Sequence, residues 1–488
     1  MRIGEEILEP PAYGNKGLTV KEEPEEGIEN DILAVKEQLR LDYGLEDTDA
    51  SPPPPSAEKE LSGPDPARQA LECKYGSRLV ERLHFGSLCT CVPNKKLPVF
   101  SWFKYKEGFS RALVERILTE EWRLPADSLV FDPFAGSGTT LLTCQQLGYR
   151  AFGTEIMPIS VFVSRVKLQT DYDLEELRSA ISRVLHAPYI PGSRELPKVK
   201  IISLAFPAEV QDRLVFFRDT ILNLKDISEA TRNFLLLGLL SILEQVSFTS
   251  KDGQFLRLVE RKIPPVETAL AAQFSQMLLD LQAETSLFGE VAAQHPAVIY
   301  QADAREIPFG PGHTGTVDAT ITSPPYLNRY DYSRTYSLEL LLLFASDFAA
   351  LKQIRHSLLR SHIESRPAPT SDVRLPALNE IQANIAPKRL NNPRIPIMIT
   401  GYFEDMNHVI QEMARLMKPG GRVALVVANA RFEGELTPVD LMLSELAEAA
   451  GFVTDSIWIT RYKGNSSQQM GRYGRVPVRE SIVFWRKR

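Results

Sequence analysis

The chain has 488 residues, of which 43% are hydrophobic, so it is long enough for one large catalytic unit with insertions. Four cysteines in a chain of this length argue against a disulfide-built fold. The longest uncharged apolar run, residues 234–243, is too short to span a bilayer, and residues 1–6 lack the apolar core of a signal peptide. These features predict a soluble, cytoplasmic protein with no membrane partner.

Residues 1–70 differ in composition from the rest of the chain. They are rich in Glu and Pro and hold 17 acidic and 7 basic side chains, a net charge of −10. The whole chain carries −6, so the remainder carries +4 and is mildly basic, which is compatible with a nucleic-acid partner. A segment with so little apolar surface cannot offset its ordering entropy. We therefore predict a disordered acidic tail, with at most one short helix near residues 32–41.

Residues 71–170 are predicted to form the first part of the globular domain. Apolar periodicity indicates a helix over residues 111–122, for which Ser110 is a suitable cap. The apolar run 128–131 then reads as a strand ending at Asp132.

A turn of small residues, 135–138, follows this strand, and Thr139 begins an amphipathic helix. Glycines let a ligand lie close to the backbone, and an acid at the strand end orients a polar group. Strand, turn and helix in this order predict the first half of a nucleotide-type crevice. Alone the pattern is a weak signal, because glycine turns after strands are common in α/β proteins.

Acidic residues also close the next two predicted strands. Residues 150–155 form the second strand, and its last residue, Glu155, lies 19 residues beyond Gly136. This is near the spacing of about 20 at which a carboxylate meets ribose hydroxyls in such crevices. The third strand, residues 297–303, ends in Asp303.

A helical insertion, residues 171–292, is predicted between the second and third strands. Its loop at 247–257, followed by Arg261 and Lys262, mixes hydroxyls, aromatics and bases. This loop suits contact with a phosphate backbone as well as it suits an ordinary connection between helices. The insertion is therefore a candidate region for contact with nucleic acid. The elements expected within it are helices at 174–185, 207–224, 231–246 and 266–281 and a strand at 199–204.

Residues 293–488 are predicted to complete the catalytic domain. The fourth strand, 317–322, leads directly into Ser323-Pro-Pro-Tyr326. Residues 363–398 read as an irregular, Pro-containing segment with a basic run at Lys388, Arg389 and Arg394. Alternating strands and helices predict an α/β fold with a Rossmann-like, doubly wound, seven-stranded, mostly parallel sheet and an antiparallel last strand. The other expected elements are helices at 336–345, 403–417 and 440–450, a stop at 418–421, and strands at 422–428, 452–460 and 481–485.

Two of these loops together carry a family resemblance. Residues 132–140 (DPFAGSGTT) and 323–326 (SPPY) resemble the cofactor and catalytic loops of the S-adenosylmethionine-dependent amino-methyltransferases of DNA. The resemblance extends over 98–160 and 297–486. It fixes no residue for DNA recognition, for which the insertion, 171–292, and the segment 360–398 are candidates by position only. It implies S-adenosyl-L-methionine as cofactor, double-stranded DNA as substrate and restriction or defence proteins as companions. No metal is required, because the sulfonium already carries a good leaving group.

The resemblance also implies roles for individual residues. Phe109 and Ser110 match the positions that hold the methionine part of the cofactor, although a structural helix entry explains them equally well. Glu155 would bind the ribose, and Asp303 with Ala304 the adenine amino group. The complete predicted cofactor set is Phe109, Ser110, Asp132, Pro133, Phe134, Ala135, Gly136, Gly138, Thr139, Glu155, Ile156, Asp303 and Ala304.

The predicted catalytic set is Ser323, Pro324, Pro325 and Tyr326. An exocyclic amine is a poor nucleophile, because its lone pair is delocalised into the ring. The Ser323 Oγ and the Pro324 carbonyl are suited to accept its hydrogens, and the two prolines preorganise these acceptors. Tyr326 offers a ring on which a base extruded from the duplex can stack.

The target base stays open among several alternatives. A Ser at the start of the tetrad is similar to the cytosine-N4 enzymes, which makes this base the preferred one, whereas adenine-N6 enzymes more often begin with Asp or Asn. Cytosine-C5 transfer is disfavoured, because none of the four cysteines follows a proline. RNA and protein-glutamine amino-methylation rank lower. A DNA-binding module with an inactive cofactor pocket is the alternative that is not an enzyme.

Overall fold

The structure, a computed structural model, describes residues 66–190, 195–251, 256–365, 373–388, 390, 392–463 and 476–488. The predicted helix at 32–41 and almost all of the predicted tail lie outside this part of the chain. Helix α1 (Pro66–Tyr75) begins inside the range assigned to the tail, so residues 66–70 are helical.

A central sheet of eight strands organises the described chain. Its order is β1-β7-β8-β6-β5-β2-β3-β4, and β8 alone among these strands runs antiparallel to its neighbours. The mostly parallel sheet with an antiparallel last strand is confirmed, and β1, too short to show a pattern, adds an eighth strand at one edge. The strands are β1 (Leu79–Glu81), β2 (Leu129–Asp132), β3 (Arg150–Glu155), β4 (Val298–Gln301), β5 (Val317–Thr322), β6 (Met417–Ala428), β7 (Phe452–Lys463) and β8 (Val478–Lys487).

Helices cover both faces of this sheet, and alternate strand residues enter separate cores. Val130 and Ile321 belong to one apolar core, whereas Phe131 and Leu425 belong to the other. The period of two along a strand sends successive side chains to opposite faces, so this division defines a doubly wound fold. No helix among the described residues is long and apolar enough to cross a membrane.

The remaining helices follow in chain order. A π-helical turn, Ile117–Glu121, continues α2 and completes the predicted helix 111–122. The helices are α2 (Arg111–Arg116), α3 (Thr139–Leu147), α4 (Pro158–Leu168), α5 (Leu174–Leu185), α6 (Lys200–Ala205), α7 (Ala208–Asn223), α8 (Glu229–Ser241), α9 (Val266–Gln294), α10 (Tyr332–Thr335), α11 (Ser337–Leu343), α12 (Phe348–Ser357), α13 (Pro376–Ile385), α14 (Ile395–Leu416) and α15 (Val439–Ala449).

The helical insertion packs into the core of the catalytic unit. Its helices α5–α9 contribute Phe234 and Leu270 to the same apolar cluster as Val130 of the sheet. Helix α9 lies against α3, where the Gln146 amide donates to Glu284 Oε1 at 2.7 Å. The insertion therefore supports the helix that follows the glycine turn.

The strand predicted at residues 199–204 is wrong, because this segment forms helix α6. Ile201, Ile202 and Ala205 are buried in the core. Ala205 follows Ile201 by four residues and Ile202 by three, the spacing of one helix face. Helix α6 packs against helix α11, and burial of its apolar residues in this helical contact prevails over the intrinsic preference of β-branched residues for strands.

Two further predictions in the C-terminal half need correction. Residues 363–398 are not irregular throughout, because they contain α13 and the first residues of α14. In the predicted basic run, Lys388 Nζ donates to the Glu433 carbonyl at 3.0 Å and pairs with Glu435, and residue 389 lies outside the described chain. The stop at 418–421 is a register shift inside β6 and not a turn before it.

A buried ion pair joins the insertion to the helix behind the Ser-Pro-Pro-Tyr loop. Lys251, inside the loop proposed to meet phosphates, is 2% exposed and pairs with Glu339, which is 1% exposed. Its Nζ also lies 4.7 Å from the centroid of the Tyr336 ring. Lys251 is therefore a structural residue of the core and not a phosphate contact.

We expect Lys251→Met to lower the free energy of unfolding by about 3–5 kcal/mol, because Glu339 would be left buried without its cation. Urea denaturation followed by circular dichroism would measure this loss. Lys262→Met is the matched control, since Lys262 is an exposed lysine eleven residues further along the chain. A Lys251→Met protein as stable as this control would contradict the prediction.

Candidate active site

The glycine turn after β2 has a backbone that only small residues fit. Gly136 and Gly138 adopt φ values of +52° and +83°, in the left-handed region. A Cβ on Gly138 would lie 3.0 Å from Ser164 Oγ, and that hydroxyl donates to the Gly136 carbonyl at 2.8 Å. The turn delivers Thr139 to the first position of α3. The two glycines thus let Tyr105 and Ser164 pack against a tight turn at the N-terminus of a helix, where backbone N–H groups can meet a ligand.

Asp132 joins the glycine turn to the Ser-Pro-Pro-Tyr loop. It is 2% exposed, and its Oδ1 accepts hydrogen bonds from Phe134 N at 3.0 Å and from Thr322 Oγ1 at 2.6 Å. Burial raises the pKa of Asp132 to about 6, although these hydrogen bonds oppose the rise. Thr322 was missed from sequence. Its position at the end of a strand parallel to β2 is the signal that could have identified it.

The rest of the turn is held against β3. The Thr154 hydroxyl donates to the Pro133 carbonyl at 2.9 Å, and Ala135 N donates to the Thr154 carbonyl at 3.1 Å. Phe134 and Ile156 are half-buried beside the two cores. These bonds hold the loop that follows β2 against the end of β3.

Glu155 is fixed by three backbone N–H groups. Its Oε2 accepts from Gly136 N at 3.0 Å, and its Oε1 accepts from Ile156 N at 2.8 Å and Met157 N at 2.9 Å. Burial raises the pKa of Glu155, against the effect of these bonds. The three bonds use three of the carboxylate's four lone pairs, which leaves Oε2 one acceptor site for a ribose hydroxyl.

The segment before α2 lies beside the glycine turn, as predicted. A Cβ on Gly108 would be 4.0 Å from Thr139 Oγ1. Phe109 and Ser110 are buried, and Ser110 Oγ accepts from Leu113 N at 3.2 Å, which confirms its role as the helix cap. A contact of either residue with the cofactor stays a prediction.

Tyr105, in the same segment, was not among the predicted site residues. Its ring lies against the glycine turn, where a Cβ on Gly136 would be 3.0 Å from Tyr105 Cε1. It also stacks on Tyr336, with ring centroids 5.2 Å apart and an interplanar angle of 12°. Two stacked aromatic rings therefore lie beside the turn. The position of Tyr105 in the sequence did not indicate this contact.

Asp303 ends the third strand region but is engaged by its own neighbour. Arg305 donates to both carboxylate oxygens, with Nε at 2.9 Å from Oδ1 and Nη2 at 2.6 Å from Oδ2. Arg305 also donates to Asp405 at 3.1 Å. Ala304 is buried next to this network. The predicted contact of Asp303 with an adenine amino group would share its carboxylate with Arg305 and stays a prediction.

The Ser-Pro-Pro-Tyr loop is anchored at both ends by hydroxyl groups. Ser323 Oγ donates to the Val426 carbonyl at 3.1 Å, and Tyr326 donates its hydroxyl to Glu480 Oε1 at 3.1 Å. Burial raises the pKa of Tyr326 well above its usual value, so the phenol keeps its proton. Pro324 is buried and Pro325 half-buried between these anchors. Because the Ser323 hydroxyl donates its hydrogen to Val426, the lone pairs of the Ser323 oxygen remain available to accept hydrogen bonds.

The sheet order brings the two loops together. Strand β2 lies between β3 and β5, and Phe131 of β2 pairs with Thr320 of β5 in parallel register. The chain proceeds from β2 to β3 and β4 on one side and returns to β5 on the other. Such a reversal opens a crevice outside the carboxyl ends of the strands, where doubly wound proteins bind their ligands. This crevice, with its glycine turn and strand-end acids, defines a Rossmann-like enzyme that binds a nucleoside-type cofactor.

Comparison with known proteins supplies the particular family. The DNA methylase family (N6_N4_Mtase) matches residues 82–161. The type II methyltransferase M.BsoBI of Geobacillus stearothermophilus is 33% identical over 513 residues, covering 92% of this chain and 99% of that protein. M.AvaI of Nostoc sp. is 32% identical over 456 residues, covering 86% and 93%. The chain therefore belongs to the DNA amino-methyltransferases of the N4/N6 type.

S-adenosylmethionine is the cofactor of this family, and the crevice fits it. The carboxyl groups of Asp132 and Glu155 stand beside the glycine turn, at the ends of neighbouring strands. A buried acid with a raised pKa is stabilised in its charged form by a cationic ligand. When bound, the cofactor supplies an electrophilic methyl group on a sulfonium.

Proposed function

We propose that this protein transfers a methyl group to the exocyclic N4 of a cytosine extruded from double-stranded DNA. The observation that carries the proposal is the position of Ser323. It follows a strand adjacent to the cofactor turn, and its hydroxyl donates to Val426, so its oxygen is turned into an acceptor. A Ser at this position is similar to the cytosine-N4 enzymes, and this similarity supports cytosine over adenine.

The protein's contribution to the reaction is positioning and hydrogen-bond acceptance, and the proton that the amine loses on methylation passes to solvent. Ser323 Oγ and the Pro324 carbonyl accept hydrogens of the target amine, which keeps its nitrogen lone pair in line with the methyl group. Pro325 restricts the backbone of the loop, so these acceptors need no reorganisation. The Tyr326 ring stacks on the base and offsets part of the stacking energy lost on extrusion.

We place DNA recognition in the insertion, residues 171–292. The side chains of Arg257, Arg261 and Lys262 are exposed there, on and after a small hairpin formed by Thr249–Ser250 and Arg257–Leu258. Cations on one edge suit contact with phosphates, which positions a protein on DNA without specifying sequence. Because the relatives are named type II methyltransferases, we also propose a modification role beside a companion restriction enzyme.

The experiment is incubation of the purified protein with labelled S-adenosylmethionine and unmethylated, mixed-sequence duplex DNA, followed by nucleoside mass spectrometry. A parallel incubation uses RNA of matched sequence. N4-methylcytosine in the duplex supports the proposal. N6-methyladenine would retain the mechanism and change the base, and label in RNA alone would change the substrate class. Measurable cofactor binding with no transfer to either polymer would favour the inactive binding module instead.

A further inference from the structure

A fully buried glutamate outside the predicted site holds the aromatic residue of the catalytic loop. Glu480 of β8 has a side-chain exposure of 0% and accepts the Tyr326 hydroxyl at 3.1 Å. Its carboxylate also pairs with Arg461 and with Lys463, both on β7. A carboxylate buried this completely is stabilised only by such a set of donors. Tyr326 is thus the one member of the set that belongs to the catalytic loop.

The antiparallel strand β8 explains why this glutamate reaches the loop. Glu480 pairs with Ala428 of β6 on one side and with Arg461 of β7 on the other. Val426, which accepts the Ser323 hydroxyl, lies two residues before Ala428 on β6. The Val426 backbone carbonyl and the Glu480 side chain therefore lie within two residues of one register position, so the same region of the sheet anchors both loop hydroxyls.

The cations around Glu480 also restrict the tyrosine ring. Lys463 Nζ lies over the Tyr326 ring, 5.3 Å from its centroid. A cation at this distance interacts favourably with the ring face and occupies it. A base that stacks on Tyr326 therefore uses the opposite face. The hydroxyl bond to Glu480 then fixes how far the ring can tilt toward that base.

We infer that Glu480 is a positioning residue, which sets the orientation of the Tyr326 ring on which the target base stacks, with Lys463 held against the far face. The inference deepens the proposed methyl transfer and rests on it. Glu480 touches neither base nor cofactor in this role. Its effect should appear in turnover on the nucleic acid and leave cofactor affinity unchanged.

The test compares Tyr326→Phe, Glu480→Ala and the double variant by steady-state kinetics on duplex DNA. Both single variants should lower kcat about 10- to 100-fold, because small misplacements of reacting groups have effects of this size. The double variant should be no slower than the slower single variant, since both changes remove one hydrogen bond. The dissociation constant of S-adenosylmethionine, measured by calorimetry, should equal that of the wild type. Glu480→Gln, which keeps an acceptor oxygen for Tyr326, should recover part of the lost kcat.

Asp440→Ala is the matched control. The Asp440 side chain is 0% exposed and pairs with Arg479. Arg479 precedes Glu480 on β8, so the side chains of Arg479 and Glu480 lie on opposite faces of the sheet. The loss of the Asp440 carboxylate should lower the melting temperature without a selective loss of kcat. Tyr326→Phe leaves the ion pairs intact, so it tests the same hydrogen bond if Glu480→Ala does not fold.

The inference would be overturned by a wild-type kcat for Tyr326→Phe, by multiplicative losses in the double variant, or by an equal loss of kcat in Asp440→Ala. The activity of the wild-type protein distinguishes a failure of the proposed function from a failure of this inference. A wild type that transfers methyl groups to no nucleic acid refutes both statements. A wild type that is active, with Glu480 variants that turn over normally, refutes only the role of Glu480.

Discussion

Replacement of Ser323 by alanine should lower kcat about 10²–10³-fold, the size of effect seen when one preorganised hydrogen-bonding group is removed from an active site. The hydroxyl donates to the Val426 carbonyl, so its lone pairs point away from that bond and are available to the target amine. The Ser323 hydroxyl bonds to Val426, which is not one of the predicted cofactor-binding residues. We therefore expect the affinity for S-adenosylmethionine to be unchanged.

Single-turnover kinetics with labelled cofactor would measure the rate, and calorimetry would measure the affinity. Ser357→Ala is a suitable control, because the Ser357 hydroxyl also donates to a backbone carbonyl, that of Ile354 at 2.8 Å, in helix α12 outside the insertion. The control should retain full activity. Equal losses of rate and cofactor affinity in Ser323→Ala would contradict its assignment to the methyl-transfer step.

Replacement of Asp132 by asparagine should weaken cofactor binding and at the same time stabilise the free protein at high pH. Burial raises the pKa of Asp132 from 3.8 to about 6, so the folded protein binds this proton more tightly than the unfolded chain does. The stability contributed by the group is present below pH 3.8 and is lost as the pH rises through about 6. A difference of about two pKa units corresponds to roughly 3 kcal/mol.

Asparagine cannot ionise, yet its amide oxygen can still accept from Thr322 and Phe134. The melting temperature of Asp132→Asn should therefore exceed that of the wild type at pH 8, and this gain should shrink at pH 5. Since a cationic ligand favours the ionised carboxyl, the wild type should bind S-adenosylmethionine more tightly at pH 8 than at pH 5. A variant with the wild-type dissociation constant, or with a pH-independent stability difference, would contradict these expectations.

Elements with a strong local pattern were predictable from the sequence. Helix α5 occupies Leu174–Leu185 and strand β5 occupies Val317–Thr322, at the predicted bounds. An amphipathic period of 3.6 residues and an alternation of apolar and polar residues before a turn are properties of the segment itself. The local pattern gave the wrong element where tertiary packing decides, as in α6, whose β-branched residues are buried against helix α11.

The amino-acid sequence by itself determined the class of chemistry, because a glycine turn after an apolar strand and the Ser-Pro-Pro-Tyr tetrad are local signatures. Only the tertiary structure decided which residues meet around them. Thr322 reaches Asp132, Tyr105 covers Gly136 and Glu480 holds Tyr326. Each of these contacts joins residues far apart in the chain. Their spacing in sequence carries no signal, since strand order and register, and not local preference, bring them together.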